Sequence, residues 1–390
     1  MSELGASVII IGAGIVGTSI AYHLAVRGCT DVLILEKAET EVTGSSARSA
    51  AGVRHQFASE INIRLSLYSI EQLKHFNERV GGHADLKQVG YLLLVNDAET
   101  WETYQRNVAL QNSLGVRSRI LAASDVLHFI PGTRIDDLIG ATYCPDDGYC
   151  DPHGIATGYL ARARELGVRL KRSTPVIGIQ TGMQKATPRV VAVKTPHEVF
   201  SCETVVNAAG PWAGQVGALA GLDIPVLPYR RCVYMTEPFA LVPNDIPLTI
   251  DVASDFYMRK ESQKVLFGLS NENEPPGENL AVDWEWLEVV MEAGISRFPM
   301  LALAGLATKN CWAGLYEVTP DHNPILGIHP DLPTYVDANG FSGHGVSHSP
   351  ATGMLIAEEI LDGRAHTINI DELRIARFRE QALRPETNVY

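Results

Sequence analysis

Basic residues are in short supply in this chain: 32 Lys and Arg stand against 45 Asp and Glu, a formal net charge of −13 at pH 7. Nucleic-acid binding calls for a concentrated basic face, so this balance argues against it. No block of like charge suggests an interaction tail. No uninterrupted apolar stretch reaches the roughly 20 residues that span a bilayer. The apolar run near the N-terminus lacks the basic residues that open a secretory signal. Only six cysteines occur (29, 144, 150, 202, 232 and 311), none in a C-x-x-C pair. Neither a zinc site nor a redox dithiol is therefore expected, and no metal is assigned. A reducing, cytoplasmic location is the default expectation. Internal repeats, low-complexity segments and a Ser-His-Asp or paired-carboxylate constellation are also missing. What remains is an ordinary globular composition, 46% hydrophobic and 20% charged over 390 residues, enough for two domains with their own cores.

The most informative stretch is Val8-Ile9-Ile10-Ile11-Gly12-Ala13-Gly14-Ile15-Val16-Gly17. A short apolar run breaks there into glycines spaced G-x-G-x-x-G. A second apolar run, Val32–Leu35, ends on Glu36. The layout predicts a strand, a tight turn, a helix over Thr18–Arg27 and a second parallel strand ending on an acid. Gly12 permits the turn, Gly14 lets the backbone approach a pyrophosphate, and Gly17 lets the helix pack closely on the strand. The N–H groups and dipole at the helix N-terminus favour phosphates. Glu36 can accept hydrogen bonds from a ribose hydroxyl; Lys37 follows it, and the acid points to a free ribose rather than a 2′-phosphate.

Further along, Thr43–Gly52 is small and polar and can lie flat against a ligand. Helical spacing of Ile63, Leu67, Ile70 and Leu73 predicts a helix, Tyr91–Val95 a buried strand, and Glu99–Leu114 a helix stopped at Gly115. Another helix is expected over Ala156–Glu165, then strands at Val168–Leu170 and Val190–Val193. The β-branched run from Thr204 stops on Ala208, Ala209 and Gly210 before Trp212, as a parallel strand does at a ligand crevice. From Pro225 to about Asn310, strand-like pieces (Arg231–Thr236, Asp255–Met258, Val265–Leu269) alternate with turns, and one helix is expected over Asp283–Phe298. The chain returns through Trp312–Tyr316, the turn Thr319-Pro320-Asp321 and Tyr335-Val336. Glycines from Gly340 to Gly345 then lead into a helix over Ala351–Leu361, a second anion-binding end. The expected class is α/β with an α+β substrate domain. A Rossmann-like dinucleotide-binding domain comprises 1–85, 145–224 and 312–375, an antiparallel-sheet domain 86–144 and 225–311, and a tail 376–390.

Taken together, the G-x-G-x-x-G with Glu36, Gly44-Ser45-Ser46, Val205–Trp212, Trp312–Tyr316 with Thr319-Pro320-Asp321, and Gly340–Gly345 resemble the D-amino-acid-oxidase-type FAD oxidoreductases, in order and over nearly the whole chain. Gly52-Val53-Arg54-His55-Gln56-Phe57 and Ile61-Asn62-Ile63-Arg64-Leu65 look most like the β subunits of heterotetrameric sarcosine oxidase and L-proline dehydrogenase. The resemblance implies FAD, with Gly12, Gly14 and Gly17 at the pyrophosphate and Glu36 at the adenosine ribose, Lys37 beside it. It implies Ser45, Ser46 and Arg48 along the flavin side, and Gly343, His344 and Gly345 near the isoalloxazine ring. Ala209, Gly210, Trp212 and Gly314 are further cofactor candidates, with packing the alternative for Trp212.

The implied reaction is oxidation of the C–N bond of a small amino acid, a secondary or N-methyl amine such as sarcosine or proline. Hydride passes to flavin N5 and water hydrolyses the imine. Arg54 falls at the family's carboxylate-binding arginine, where a guanidinium fork grips a carboxylate; a structural ion pair is the alternative. Tyr257 and Tyr316 match pocket-lining tyrosines, with core packing as the alternative, and His344 falls beside the flavin, with a satisfied loop histidine as the alternative. The chain also departs from the pattern. Gly314 stands where monomeric sarcosine oxidase attaches FAD through a cysteine, with Cys311 three residues earlier, so FAD is expected to be non-covalent. A second carboxylate-binding cation falls on Ser347, with His348 beside it. An active-site histidine falls on Ser270. The oxygen-activating lysine falls near Leu266, with Lys264 two residues away. The electron acceptor is therefore O2 or another redox carrier, with a partner subunit possible. Two other readings stay open: a 2-hydroxy-acid or glycerol-phosphate FAD dehydrogenase, and a flavin-holding assembly protein without turnover.

Overall fold

The apolar run before the three glycines is the centre of the first of two eight-stranded sheets. In a computed structural model that describes residues 5–389, Gly5–Ile11 (β1) pairs in parallel with Val32–Leu35 (β2) and with Val199–Asn207 (β3). Their near-continuous burial is that of parallel strands covered on both faces. One face carries the helices Ile15–Val26 (α1), Pro152–Glu165 and Gly345–Asp362 (α3), with Glu60–Lys74 (α2) packed outside α3. Ile10, Ile20, Leu24, Tyr159, Leu355 and Ile356 share that core. On the other face Ile9, Ile11, Leu33, Phe200 and Tyr335 pack beneath the hairpin Gly178–Gln184/Thr187–Lys194. Leu332–Asn339 (β7) extends the sheet beyond β3 in parallel register.

The second sheet is built from Leu227–Met235 (β4), Phe256–Glu261 (β5), Trp312–Val318 (β6) and five further strands. Every neighbouring pair is antiparallel except Leu248–Asp251 against Tyr91–Val95, which run parallel. Its core of Tyr234, Phe256, Phe267 and Phe298 lies under the helix Trp286–Arg297. Apolar side chains of this size dominate the burial energy of a core.

Two expectations change. Strand β6 was expected in the first unit as the opening of 312–375. It pairs instead with β4 from Leu227↔Val318 to Val233↔Trp312, in the second sheet. A strand's partner is set by long-range register, not by the segment that follows it. The last helix was expected from Ala351, after Pro350, but α3 begins at Gly345 and carries Pro350 inside. Proline cannot donate to the carbonyl four residues back, here Val346. The Ser349 hydroxyl donates to that carbonyl at 3.1 Å, so the helix continues.

Candidate functional site

The carboxyl ends of β1, β2 and β3 open into a cavity of about 770 Å³ whose far wall is the second sheet. This is the crevice in which open parallel sheets bind ligands. Gly12 turns the chain with φ +108°, and a Cβ there would lie 2.4 Å from the Ala208 carbonyl oxygen. Gly17 does not line the cavity. Its missing Cβ would sit 2.1 Å from the Gly12 oxygen, so it seats the turn from behind. Gly14 caps α1 without a side-chain acceptor, and Ser46 Oγ accepts only from Ile15 N, at 3.1 Å. The remaining first-turn N–H groups leave this end able to take an anion such as a phosphate. Glu36 accepts from Ala13 N at 2.8 Å and from Ala38 N at 2.9 Å. A carboxylate has about four acceptor positions, so capacity remains for a ribose hydroxyl.

Lys37 lies 3.0 Å over the Trp212 ring, and burial lowers its pKa against the pull of Glu278 and Glu36. Trp212 in turn donates to Glu278 at 2.5 Å, so the two residues form one rim of the cavity beside Ala209 and Gly210. Ser45 donates to the Leu315 carbonyl at 2.6 Å and Arg48 to that of Ala313 at 3.2 Å, tying the small polar segment to β6. Gly314 is required there because a Cβ would meet the Arg48 carbonyl oxygen at 2.9 Å. None of the six cysteines lines the cavity.

At the second-sheet end stand Tyr257 on β5 and Tyr316 on β6, both half-buried. Burial raises the Tyr316 pKa, opposed by the guanidinium groups of Arg231 and then Arg54. Gly343, with φ +98°, passes so close to Tyr316 that a Cβ would lie 2.6 Å from its ring. Gly343 and Gly345 line the cavity at the N-terminus of α3, which His344 caps without a side-chain hydrogen bond.

His344 and Arg54 stand behind this wall, outside the cavity lining. Arg54 donates to the Gln56 carbonyl at 2.9 Å, to the Asn388 carbonyl, and lies 3.3 Å from His344 Nε2. Its neighbours are held by Asp147, which accepts from His55 N at 2.8 Å and lies 2.7 Å from His55 Nδ1. Burial, then Arg54, His348 and His322, hold His344 well below the ordinary histidine pKa. Ser347 accepts from Arg54 N at 3.3 Å, and His348 packs against Ser66. Lys264 bonds Asn310 at 2.9 Å on the surface, while Leu266 is fully buried; neither these two nor Ser270 lines the cavity.

Two charged cavity residues, Arg231 and Glu317, were not singled out from the sequence. Arg231 lies on β4 opposite Gly314, its Cζ 5.3 Å from the Tyr316 ring centre. The signal was a pair of arginines in one strand, since alternation sends neighbours to opposite faces. Glu317 sits beside Tyr316 and accepts from Gly340 N at 2.9 Å. Burial raises it to about 7, against hydrogen bonds from the Gly340 and Phe341 backbone. A lone acid in the apolar strand Trp312–Val318 was its only mark.

The profile of the family described as FAD dependent oxidoreductase matches residues 7–359. The chain is 30% identical to the FAD-dependent oxidoreductase domain-containing protein 1 of Bos taurus, over 95% of this chain and 84% of that protein. It is 29% identical to mitochondrial sarcosine dehydrogenase of Homo sapiens over 92% of its length, but spans only 40% of that longer relative. Among solved structures, L-proline dehydrogenase from P. horikoshii superposes with a TM-score of 0.89 at 32% identity, covering 97% of this chain and 99% of that one.

Proposed function

The chain belongs to the FAD-dependent oxidoreductase family, and on that premise we propose that it oxidises the C–N bond of a small amino acid, a secondary or N-methyl amine such as sarcosine or proline. One observation carries the reading: a single cavity joins the glycine cradle at α1 to an end made of Tyr257, Tyr316 and Arg231. The cradle fits FAD, because Gly14 caps the helix with no side chain of its own and its missing Cβ would meet nothing closer than Ser46 Oγ at 3.5 Å, which leaves the helix N-terminus open to a pyrophosphate. FAD, when bound, supplies the hydride acceptor, so the protein needs no nucleophile of its own.

The chain's own groups then have two tasks. The positive charge of Arg231, with that of Arg54 behind the wall, orients an anionic substrate, and the two half-buried tyrosines help to keep water from the reacting end. The amine has to arrive neutral to release hydride, and a positive pocket favours that form over an ammonium. Neither a cysteine nor a histidine, the side chains that most often link to flavin, lines the cavity, and we take FAD to be held without a covalent bond. Lys264 faces the surface and so lends the cavity no charge to assist electron transfer to oxygen. We therefore assign the electrons to a carrier other than O2, in line with the dehydrogenases among the relatives.

Anaerobic bleaching of the yellow protein by a panel of sarcosine, dimethylglycine, L-proline and D-amino acids tests the reading. Reduction by at least one secondary or tertiary amine is expected, with slow recolouring in air. No bleaching by any member would sink the amine assignment. Release of all flavin by denaturation checks the absence of a covalent link.

A further inference from the structure

We infer that Arg231, on the second sheet, is the residue that takes the carboxylate of the substrate and thereby selects amino acids over plain amines. The inference rests on the amine reading above and adds to it a residue that none of the motifs quoted for the resemblance contains. Two guanidinium groups lie near the Tyr316 hydroxyl, and their surroundings differ. Arg54 stands behind the wall and directs donors to the Gln56 and Asn388 carbonyls. Arg231 lines the cavity.

The bonding of Arg231 is incomplete in a way that its neighbour's is not. Arg230, one residue earlier on the opposite face of β4, reaches Glu274 at 2.9 Å and Asp283 at 2.8 Å. Arg231 makes no ion pair with any described residue. Its Nη1 donates to the Arg230 carbonyl at 2.9 Å, and its buried Nε has no acceptor at all. A buried donor left without a partner is costly, and a charged one more so. A carboxylate in the cavity would supply the missing acceptor and the missing charge together. The Nε–Nη2 edge of a guanidinium is a two-donor fork that matches a carboxylate's two oxygens. Its one hydrogen bond among the described residues goes to the Arg230 carbonyl, and the Tyr229 and Tyr316 ring centres lie 5.9 and 5.3 Å from its Cζ, so a rotation of the guanidinium presents that edge to the cavity.

The test uses the FAD-loaded protein and pyrrole-2-carboxylate, a planar carboxylate that cannot be oxidised in proline's manner. Its binding is read as a perturbation of the flavin absorption band. Arg231→Gln is expected to raise its dissociation constant at least about 30-fold, the scale for truncating one partner of a buried charge pair. Arg231→Lys, which keeps the charge and loses the fork, should recover part of that loss. With an oxidisable pair, KM for L-proline should rise in Arg231→Gln while that for pyrrolidine, which has no carboxylate, stays within twofold. A dissociation constant within threefold of the parent protein in both variants would overturn the inference. So would a loss of FAD affinity with unchanged analogue binding, which would give the guanidinium to the cofactor. The analogue titration needs no turnover, so a protein that binds it through Arg231 yet is bleached by no amine would refute the amine reading and leave this one standing.

Discussion

Replacing Glu36 by glutamine should weaken FAD binding about 10- to 150-fold while leaving the fold intact. The carboxylate holds both sides of the nucleotide turn, accepting from Ala13 N at 2.8 Å and from Ala38 N at 2.9 Å. Glutamine offers one oxygen and one NH2, so one of the two backbone donors must face another donor. A hydrogen bond to a charged group contributes about 1.5–3 kcal/mol, and that is the loss expected at the turn. Each 1.4 kcal/mol is a factor of about ten in a dissociation constant. The turn carries Gly12 and Gly14, so the cost appears where the pyrophosphate would sit. Titration of apoprotein with FAD, followed by quenching of flavin fluorescence, reads the change directly. Thermal melts of the two apoproteins separate it from general destabilisation. A dissociation constant within threefold of the parent protein would refute the assignment of Glu36 to the cradle.

Gly17→Ala should also weaken FAD binding, by about fivefold or more, because the new Cβ would lie 2.1 Å from the Gly12 oxygen and overpacking of this kind costs about 1–3 kcal/mol; unchanged affinity would mean that the turn tolerates displacement. Arg377→Met should destabilise the protein by about 3–5 kcal/mol, since it strands the Asp321 carboxylate that Arg377 now holds at 2.7 and 3.0 Å in a buried pair. For 390 residues that corresponds to a melting temperature lower by about 4–6 °C, and a shift below 1 °C would contradict it. Glu317 titrates near 7 when folded against an ordinary 4.5, so its contribution to stability is complete below about pH 4.5 and is lost as the pH rises through 7. Glu317→Gln should therefore lose less stability than the parent between pH 5 and 7.5, although Asp337 and Asp255, raised to about 7 and about 6, keep part of the slope; identical slopes would exclude Glu317 as its source.

How far the sequence could be read depended on the range of the interactions involved. The turn at Gly12–Gly17, the acid after β2 and the helices around Ile63, Glu99 and Ala156 were legible, because turn sterics and apolar spacing act over a few residues. The candidate cofactor residues Ser45, Ser46, Arg48, Gly210 and Gly343 come from three separated stretches, and only the folded sheet ends bring them to one cavity. Pro350 hid the true start of α3, since the rescue of the Val346 carbonyl by Ser349 is a side-chain detail with no periodic signature.

By itself the sequence determined the nucleotide turn, the α/β class and the mixture of a parallel and a largely antiparallel sheet. Tertiary structure alone decided that β6 joins β4, that Arg54 is drawn to the Asn388 carbonyl near the C-terminus, and that Arg231 rather than Arg230 faces the cavity. Two adjacent arginines in a strand are equivalent until distant acids, here Glu274 and Asp283, claim one of them. Such a choice is made by charges brought together over some fifty residues of chain, which no local pattern encodes.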